Sequence, residues 1–291
     1  MYFRRLIKTN ALNALRQHWG RAVAVTMLLI ILSQIFLSME FLLSTAFEIP
    51  DFTDPLRTPQ FYLDDLPNAA PAAVALIGGF LLLRLILLVP LRLGVQRWFY
   101  RVGDGKAEDT FSVFEYFSSL RLFSGALLLS IGVALRCIAW GILLLGPSVA
   151  MILFSKLFLQ QTGSDFHQLL GTGLEVAGFL LLLTMAVFLV LRLMGYYLAP
   201  FAYLQNPDEG ARAAIRRSVQ ATRGYCVSLL LFELSMIGWR LLDLLVVPRI
   251  FTYPYRTTAR GLYAHYLFEK LRRTRASAEQ PPAEPTDPQP E

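Results

Sequence analysis

From Ala22 to Phe47 the chain is apolar apart from scattered small polar residues and a single charge, Glu40. A helix needs about 20 predominantly apolar residues to cross the hydrocarbon core of a bilayer. Within that core only helices and closed barrels satisfy their own backbone. Further apolar runs follow at about 70–97, 122–158, 173–204 and 225–247. Runs of this length and number restrict the chain to an all-α, polytopic transmembrane bundle. The composition agrees, because 55% hydrophobic and 16% charged residues exclude an ordinary soluble domain. The first run exceeds the roughly 7–15-residue core of a cleavable signal, so it is expected to stay as a span.

The polar segments set the expected topology. Residues 1–21 read as an amphipathic interfacial helix, with Phe3, Leu6, Ile7, Ala11, Ala14 and Leu15 opposed by Arg4, Arg5, Lys8, Asn13 and Gln17. The loop 48–69 carries Glu48, Asp51, Asp54, Asp64 and Asp65 against Arg57, and a Lys/Arg-poor loop belongs outside. Arg97, Arg101 and Lys106 bring the chain back to the cytoplasm. Residues 110–121, with Phe111, Phe114 and Phe117 every third position, read as a second surface helix. Gly146-Pro147 is expected to kink or split the long third run. Residues 160–171 form the next outer turn.

The stretch 207–224 reads as a basic amphipathic helix on the cytoplasmic surface between two spans. Asn206-Pro207-Asp208-Glu209 supplies a start signal and Gly224 a stop. Ala211, Ala214, Ile215, Ser218, Val219 and Thr222 recur at three and four residues, while Arg212, Arg216, Arg217 and Arg223 lie largely elsewhere. Residues 248–268 give a weak sixth span interrupted by Arg249, Arg256 and Arg260. Six crossings put both termini inside, with Lys270, Arg272, Arg273 and Arg275 on the cytoplasmic side. Residues 269–291 read as a basic, then Pro-rich acidic tail, with disorder expected over 276–291.

Charges inside apolar runs are the site candidates, since hydrocarbon makes each one costly unless paired or wet. They are Glu40, Arg84, Arg136, Glu175, Arg192, Glu233, Arg240 and Asp243. Spacings of seven and three put Glu233, Arg240 and Asp243 roughly on one face of a fifth span. Arg240 and Asp243 can pair there, which leaves Glu233 to find Arg136 or Arg84 on another span. Arg84, Arg136, Glu233, Arg240 and Asp243 thus make a candidate polar site. It reads as a polar or proton-coupled pathway, or as structural ion pairs and snorkelling arginines.

Arg212, Arg216, Arg217 and Arg223 form a candidate surface for lipid headgroups or a protein partner, or simply mark the positive-inside side. The net charge of +6 borders the apolar runs, so anionic lipid rather than nucleic acid is the expected partner. Cys137 and Cys226 read as packing residues. His18, His167 and His265 stand far apart, and there is no HExxH, GxSxG or phosphate loop. Asp64-Asp65 reads as a solvated pair, and Gly171-Thr172-Gly173 as a helix-start turn. No enzyme, cofactor or metal is expected.

Several short motifs carry a likeness. They are Asn206-Pro207, Ala213-Ala214-Ile215, Arg217-Ser218, Gly224, Leu234-Ser235, Ile237-Gly238-Trp239, Leu241-Leu242, Pro254-Tyr255, Thr258-Ala259 and Tyr263. Near the start, Ala11-Leu12, Leu15, His18-Trp19-Gly20 and Ala22 belong to the same pattern. By these residues the chain resembles the bacterial integral-membrane family numbered 975 among domains of unknown function. It is similar, more distantly, to the membrane domain of some glycerophosphodiester phosphodiesterases. The resemblance implies a final spanning helix and a basic cytoplasmic tail, and no particular chemistry. Gln205 departs from the family's frequent Asp, and Thr184 to Phe188 lacks its Pro-Gly break.

Two functions are therefore expected as alternatives for an inner-membrane protein of this design. One is a non-enzymatic scaffold, accessory or regulatory component acting through its cytoplasmic helices. The other is a carrier of a small solute or lipid that uses the intramembrane charges.

Overall fold

A computed structural model describes residues 2–46, 71–106, 108–160 and 165–279. Residues 47–70, which include the expected outer loop 48–69 with Asp64-Asp65, residues 161–164 of the expected outer turn 160–171, and residues 280–291 of the expected tail lie outside the described residues. Those described form ten α-helices and two 3-10 helices, with no strand among them. Four helical stretches are long and apolar enough to cross a membrane: Trp19–Leu43, Ala75–Gly103, Leu120–Leu159 and Asp165–Gln205. The chain divides into two compact units, Met1–Ile131 with Met236–Ala259, and Gly132–Ser235 with Arg260–Glu291.

In the first unit, α1 (Tyr2–Arg16) buries Ile7, Ala11 and Leu15, a four-residue repeat on one face, against α2 (Trp19–Ala46) and α3 (Pro71–Gly103). Helix α2 buries Ala22, Val25 and Leu29, and Thr26 Oγ1 donates to the Ala22 carbonyl at 2.8 Å. The end of α3 is deeply packed, with Val95, Trp98, Phe99 and Val102 almost fully enclosed. A 3-10 helix, Thr110–Phe117, docks on it through Val113 and Tyr116. Gly94 permits this approach, since a Cβ there would lie 1.9 Å from the Val113 carbonyl oxygen.

That segment corrects the expected surface helix over 110–121. It has three residues per turn, so the period-three Phe111, Phe114 and Phe117 share its outer side, while Val113 and Tyr116 are buried. Leu120 and Arg121 already belong to α4 (Leu120–Gln160), a single helix that contains Pro147. Of the kink or split expected at Gly146-Pro147, the split does not occur. A proline removes one backbone donor, and the remaining helical bonds hold the element together.

In the second unit, α5 (Asp165–Met194) lies on the later part of α4 through small residues. A Cβ at Gly171 would meet Leu159 Cγ at 2.8 Å, and one at Gly178 would meet Ile152 Cγ1 at 2.7 Å. Ser148 and Ser155 are buried there, each returning its hydroxyl to a carbonyl three residues back. Lipid tails are as apolar as leucine, so this close packing rather than burial from water is what holds such helices together. The other faces expose Leu135, Ile138, Ile142, Phe179, Leu180 and Leu183, apolar surface suited to lipid.

The expected fourth span, 173–204, starts earlier, at Asp165, and breaks after Met194 into a turn and α6 (Ala199–Gln205). A 3-10 turn, Pro207–Glu209, leads into α7 (Gly210–Thr222). Gly210 and Gly224 both sit near φ +80, where glycine is the least strained residue.

The expected fifth span, 225–247, is not one helix. It comprises α8 (Cys226–Leu234) and α9 (Ile237–Leu242), interrupted at Ser235-Met236. Ser235 Oγ donates to the Phe232 carbonyl at 2.6 Å, and a hydroxyl that competes for backbone carbonyls weakens a helix end. The final helix, α10 (Val246–Glu279), runs through the weak span 248–268 and on through residues 269–279, which were expected to form part of the tail.

Candidate functional site

The five charges proposed as one polar site resolve into separate arrangements. In the first unit Arg84 on α3 pairs with Glu40 on α2, whose carboxylate is buried. Asp243, at the end of α9, accepts hydrogen bonds from Thr252 and Arg256 of α10. Arg240 stands exposed on α9. Trp239 stacks edge-on against Tyr255 with centroids 5.5 Å apart, so α9 rests on this part of α10.

In the second unit Glu233 is buried and takes two hydrogen bonds from Arg260, Nε to Oε1 at 2.9 Å and Nη2 to Oε2 at 2.8 Å. Arg260 also lies over the Tyr197 ring, 5.4 Å from its centroid. Phe232 packs on Tyr263 at 4.9 Å, and Lys270 sits 4.7 Å over the Tyr225 ring. A hydrogen bond to Tyr225 raises the Lys270 ammonium above its ordinary value. These contacts run α8 antiparallel to this part of α10.

Arg260, rather than the expected Arg136 or Arg84, is thus the partner of Glu233. Arg136 instead donates to the Gly132 carbonyl on its own helix at 2.8 Å. The break at Ser235 also removes the common face expected for Glu233, Arg240 and Asp243. Arg192 lies 4.4 Å over the Trp140 ring, and Trp140 Nε1 donates to Tyr196 Oη at 3.0 Å.

Sequence reasoning missed Arg256 and Arg260 as partners, treating them only as defects in a span. A signal was present. Acids at 233 and 243 precede arginines at 256 and 260 in two segments that would pair if they folded back on one another. The bidentate geometry at Arg260 is the arrangement that stabilises a desolvated carboxylate best.

The second constellation is the basic face of α7. Ala214, Ile215, Ser218, Ala221 and Thr222 are buried, close to the apolar stripe read from the sequence, while Ala211 and Val219 are half-buried. The break after Met194 leaves backbone carbonyls without helical donors. Ser218 Oγ donates to the Gly195 carbonyl at 2.7 Å, which fixes α7 beneath this turn. Arg212, Arg216 and Arg223 are exposed on the opposite side, and Arg217 is half-buried.

A cavity of about 290 Å³ opens beside α7, lined by Glu209, Ala213, Arg216, Arg217, Gln220 and Arg275. Arg275 arrives from the end of α10 and donates to Gln220. Glu209 accepts from Asn206 at 2.7 Å and lies 3.5 Å from Arg217. Arg212 and Arg223 do not line the cavity. Arg275 was not among the surface residues singled out from sequence. Among the described residues, no three His, Cys, Asp or Glu side chains gather closely enough to share a metal ion.

All-helical architecture with four apolar stretches of bilayer length defines the class of candidate multi-pass helical membrane proteins. The chain belongs to the family described as "Protein of unknown function (DUF975)", whose family model matches residues 1–270. Comparisons with curated proteins and with solved structures find no match.

Proposed function

We propose that this protein is a non-enzymatic scaffold, accessory or regulatory component of the bacterial inner membrane. The observation that carries this reading is the basic face of α7. Its apolar side is used up by packing and its hydroxyls by the Gly195 carbonyl, yet Arg212, Arg216 and Arg223 project into solvent. Such a surface, held rigidly, suits anionic headgroups and an acidic face of a partner protein. In this reading the chain crosses six times with both termini in the cytoplasm. Helices α8 and α9 supply a fifth, interrupted crossing and α10 the return. The paired arginines make that return tolerable in hydrocarbon.

The test is mild-detergent purification from native membranes, with mass spectrometry of what is retained. A stoichiometric partner lost when Arg212, Arg216 and Arg217 become Ala is the expected result. A partner-free protein would sink the scaffold reading.

A second reading, a carrier of a small solute or lipid, draws on the buried Glu233–Arg260 and Glu40–Arg84 pairs. Its mark would be one retained solute or lipid whose retention depends on Glu233 or Arg84.

A further inference from the structure

We propose that the cavity between α7 and the end of α10 is a binding site for a phosphate monoester. This deepens the reading of α7 as a recognition surface and rests on it. Three guanidiniums, from Arg216, Arg217 and Arg275, line the space against one carboxylate, Glu209. The lining therefore carries two positive charges in excess, and a phosphate monoester carries nearly two negative charges at neutral pH. A diester, with one negative charge, would leave one guanidinium uncompensated.

Much of the donor set is also free for a ligand. Among the described residues no acceptor is bonded to Arg216, and Arg217 reaches Glu209 only at 3.5 Å. Arg275 is bonded to Gln220, a contact that brings its guanidinium onto the same side of α7 as the other two. Guanidinium forks bind phosphate oxygens in pairs, so three around one space can hold an oxyanion from several directions. Ala213 is the one small apolar residue of the lining. The space of about 290 Å³ is many times the roughly 10–15 Å³ that one water needs on the same measure, so a phosphate with part of its shell fits. The site also brings together residues far apart in sequence, which general positive-inside charging does not require.

The ligand group can come from a lipid headgroup, as in phosphatidic acid, or from a soluble monoester such as glycerol 3-phosphate. Binding is measured on the full-length protein in neutral-detergent micelles by native mass spectrometry. Phosphatidic acid, phosphatidylglycerol and glycerol 3-phosphate are titrated separately and then in competition. Retention of phosphatidic acid about tenfold or more above phosphatidylglycerol is expected, a factor that one charge-assisted hydrogen bond supplies. Arg275→Gln and Arg216→Gln should each abolish the preference. Arg272→Gln, which removes the same charge from the same helix outside the cavity, should keep it.

If glycerol 3-phosphate binds without lipid and displaces phosphatidic acid, the monoester site stands and its source is soluble. If it does neither, the site stands as a lipid site. Equal retention of the two lipids, or a preference untouched by Arg216→Gln, overturns the proposal. Among the described residues no acceptor is bonded to Arg216, so its substitution removes no bond that holds the cavity together. A protein partner lost only with the Arg212, Arg216 and Arg217 triple substitution would leave the scaffold reading intact when this site fails.

Discussion

Glu233 and Arg260 face one another through two parallel hydrogen bonds, at 2.9 and 2.8 Å, with the carboxylate buried on α8 and the guanidinium on α10. Breaking a buried pair by removing one partner costs about 3–5 kcal/mol, because the other charge is left desolvated. Arg260→Leu should therefore lower stability by that amount in thermal or denaturant unfolding of the detergent-solubilised protein. Glu233→Leu combined with Arg260→Leu should recover most of the loss. A double variant as unstable as Arg260→Leu would mean that the pair acts through something besides charge.

Gly94→Ala should dislodge the 3-10 helix from α3. The added Cβ would lie 1.9 Å from the Val113 carbonyl oxygen, a backbone atom that cannot rotate away. Overpacking of this kind costs about 1–3 kcal/mol or more. Amide hydrogen exchange over 110–117 should accelerate while α4 stays protected.

Ser218→Ala should cost about 1 kcal/mol by removing the nearer of the two buried hydroxyls at the Gly195 carbonyl. Thr222 stands near that carbonyl at 3.5 Å, so Ser218→Ala with Thr222→Val should cost more than either alone. Unfolding midpoints of the three variants measure this. Simple additivity would show that the two hydroxyls do not share the carbonyl.

How far the sequence announced all this differs by element. The stripe Ala214, Ile215, Ser218 and Thr222 was legible because a short helix with one packed face leaves a period in its residues. The four apolar stretches were legible because hydrocarbon demands length. The break at Ser235 was not, since neither proline nor an adjacent glycine marks it and the competing hydroxyl looks like any serine in an apolar run. Arg260 was misread because hydropathy scores a residue alone. Its cost is offset by Glu233, 27 residues away, and that pairing is tertiary. Arg275 was hidden for a simpler reason: a basic end reads as tail until the helix beneath it is seen.

The six-crossing reading places the α9–α10 turn outside the cell. Leu244 in that turn is 81% exposed and makes a convenient probe. In a background with Cys137 and Cys226 replaced by Ala, Leu244→Cys should react with an impermeant maleimide in intact cells. Ser277→Cys should react only after permeabilisation. The reverse pattern would invert the topology, and protection of both from outside would leave the four apolar stretches as the crossings.

Near the end of α10, a hydrogen bond from Arg272, joined by Arg273, holds the Glu269 carboxylate below the ordinary glutamate range. A depressed carboxylate contributes stability above its unfolded value, and this contribution is lost as pH falls through the folded one. A carboxyl-carbon NMR titration should give a midpoint below the ordinary range. Arg272→Gln should shift it upward.

Synthesis runs in one direction, and the spacing of Glu233 and Arg260 turns that into a matter of timing. At about 5–20 residues per second, the 27 residues between them take roughly 1–5 s to make. For that interval the Arg260 guanidinium is not yet available to the carboxylate. A helix carrying it would enter lipid at a penalty its partner has not yet arrived to offset. On the six-crossing reading, α8 is thus expected to settle only once the Arg260 segment of α10 has emerged.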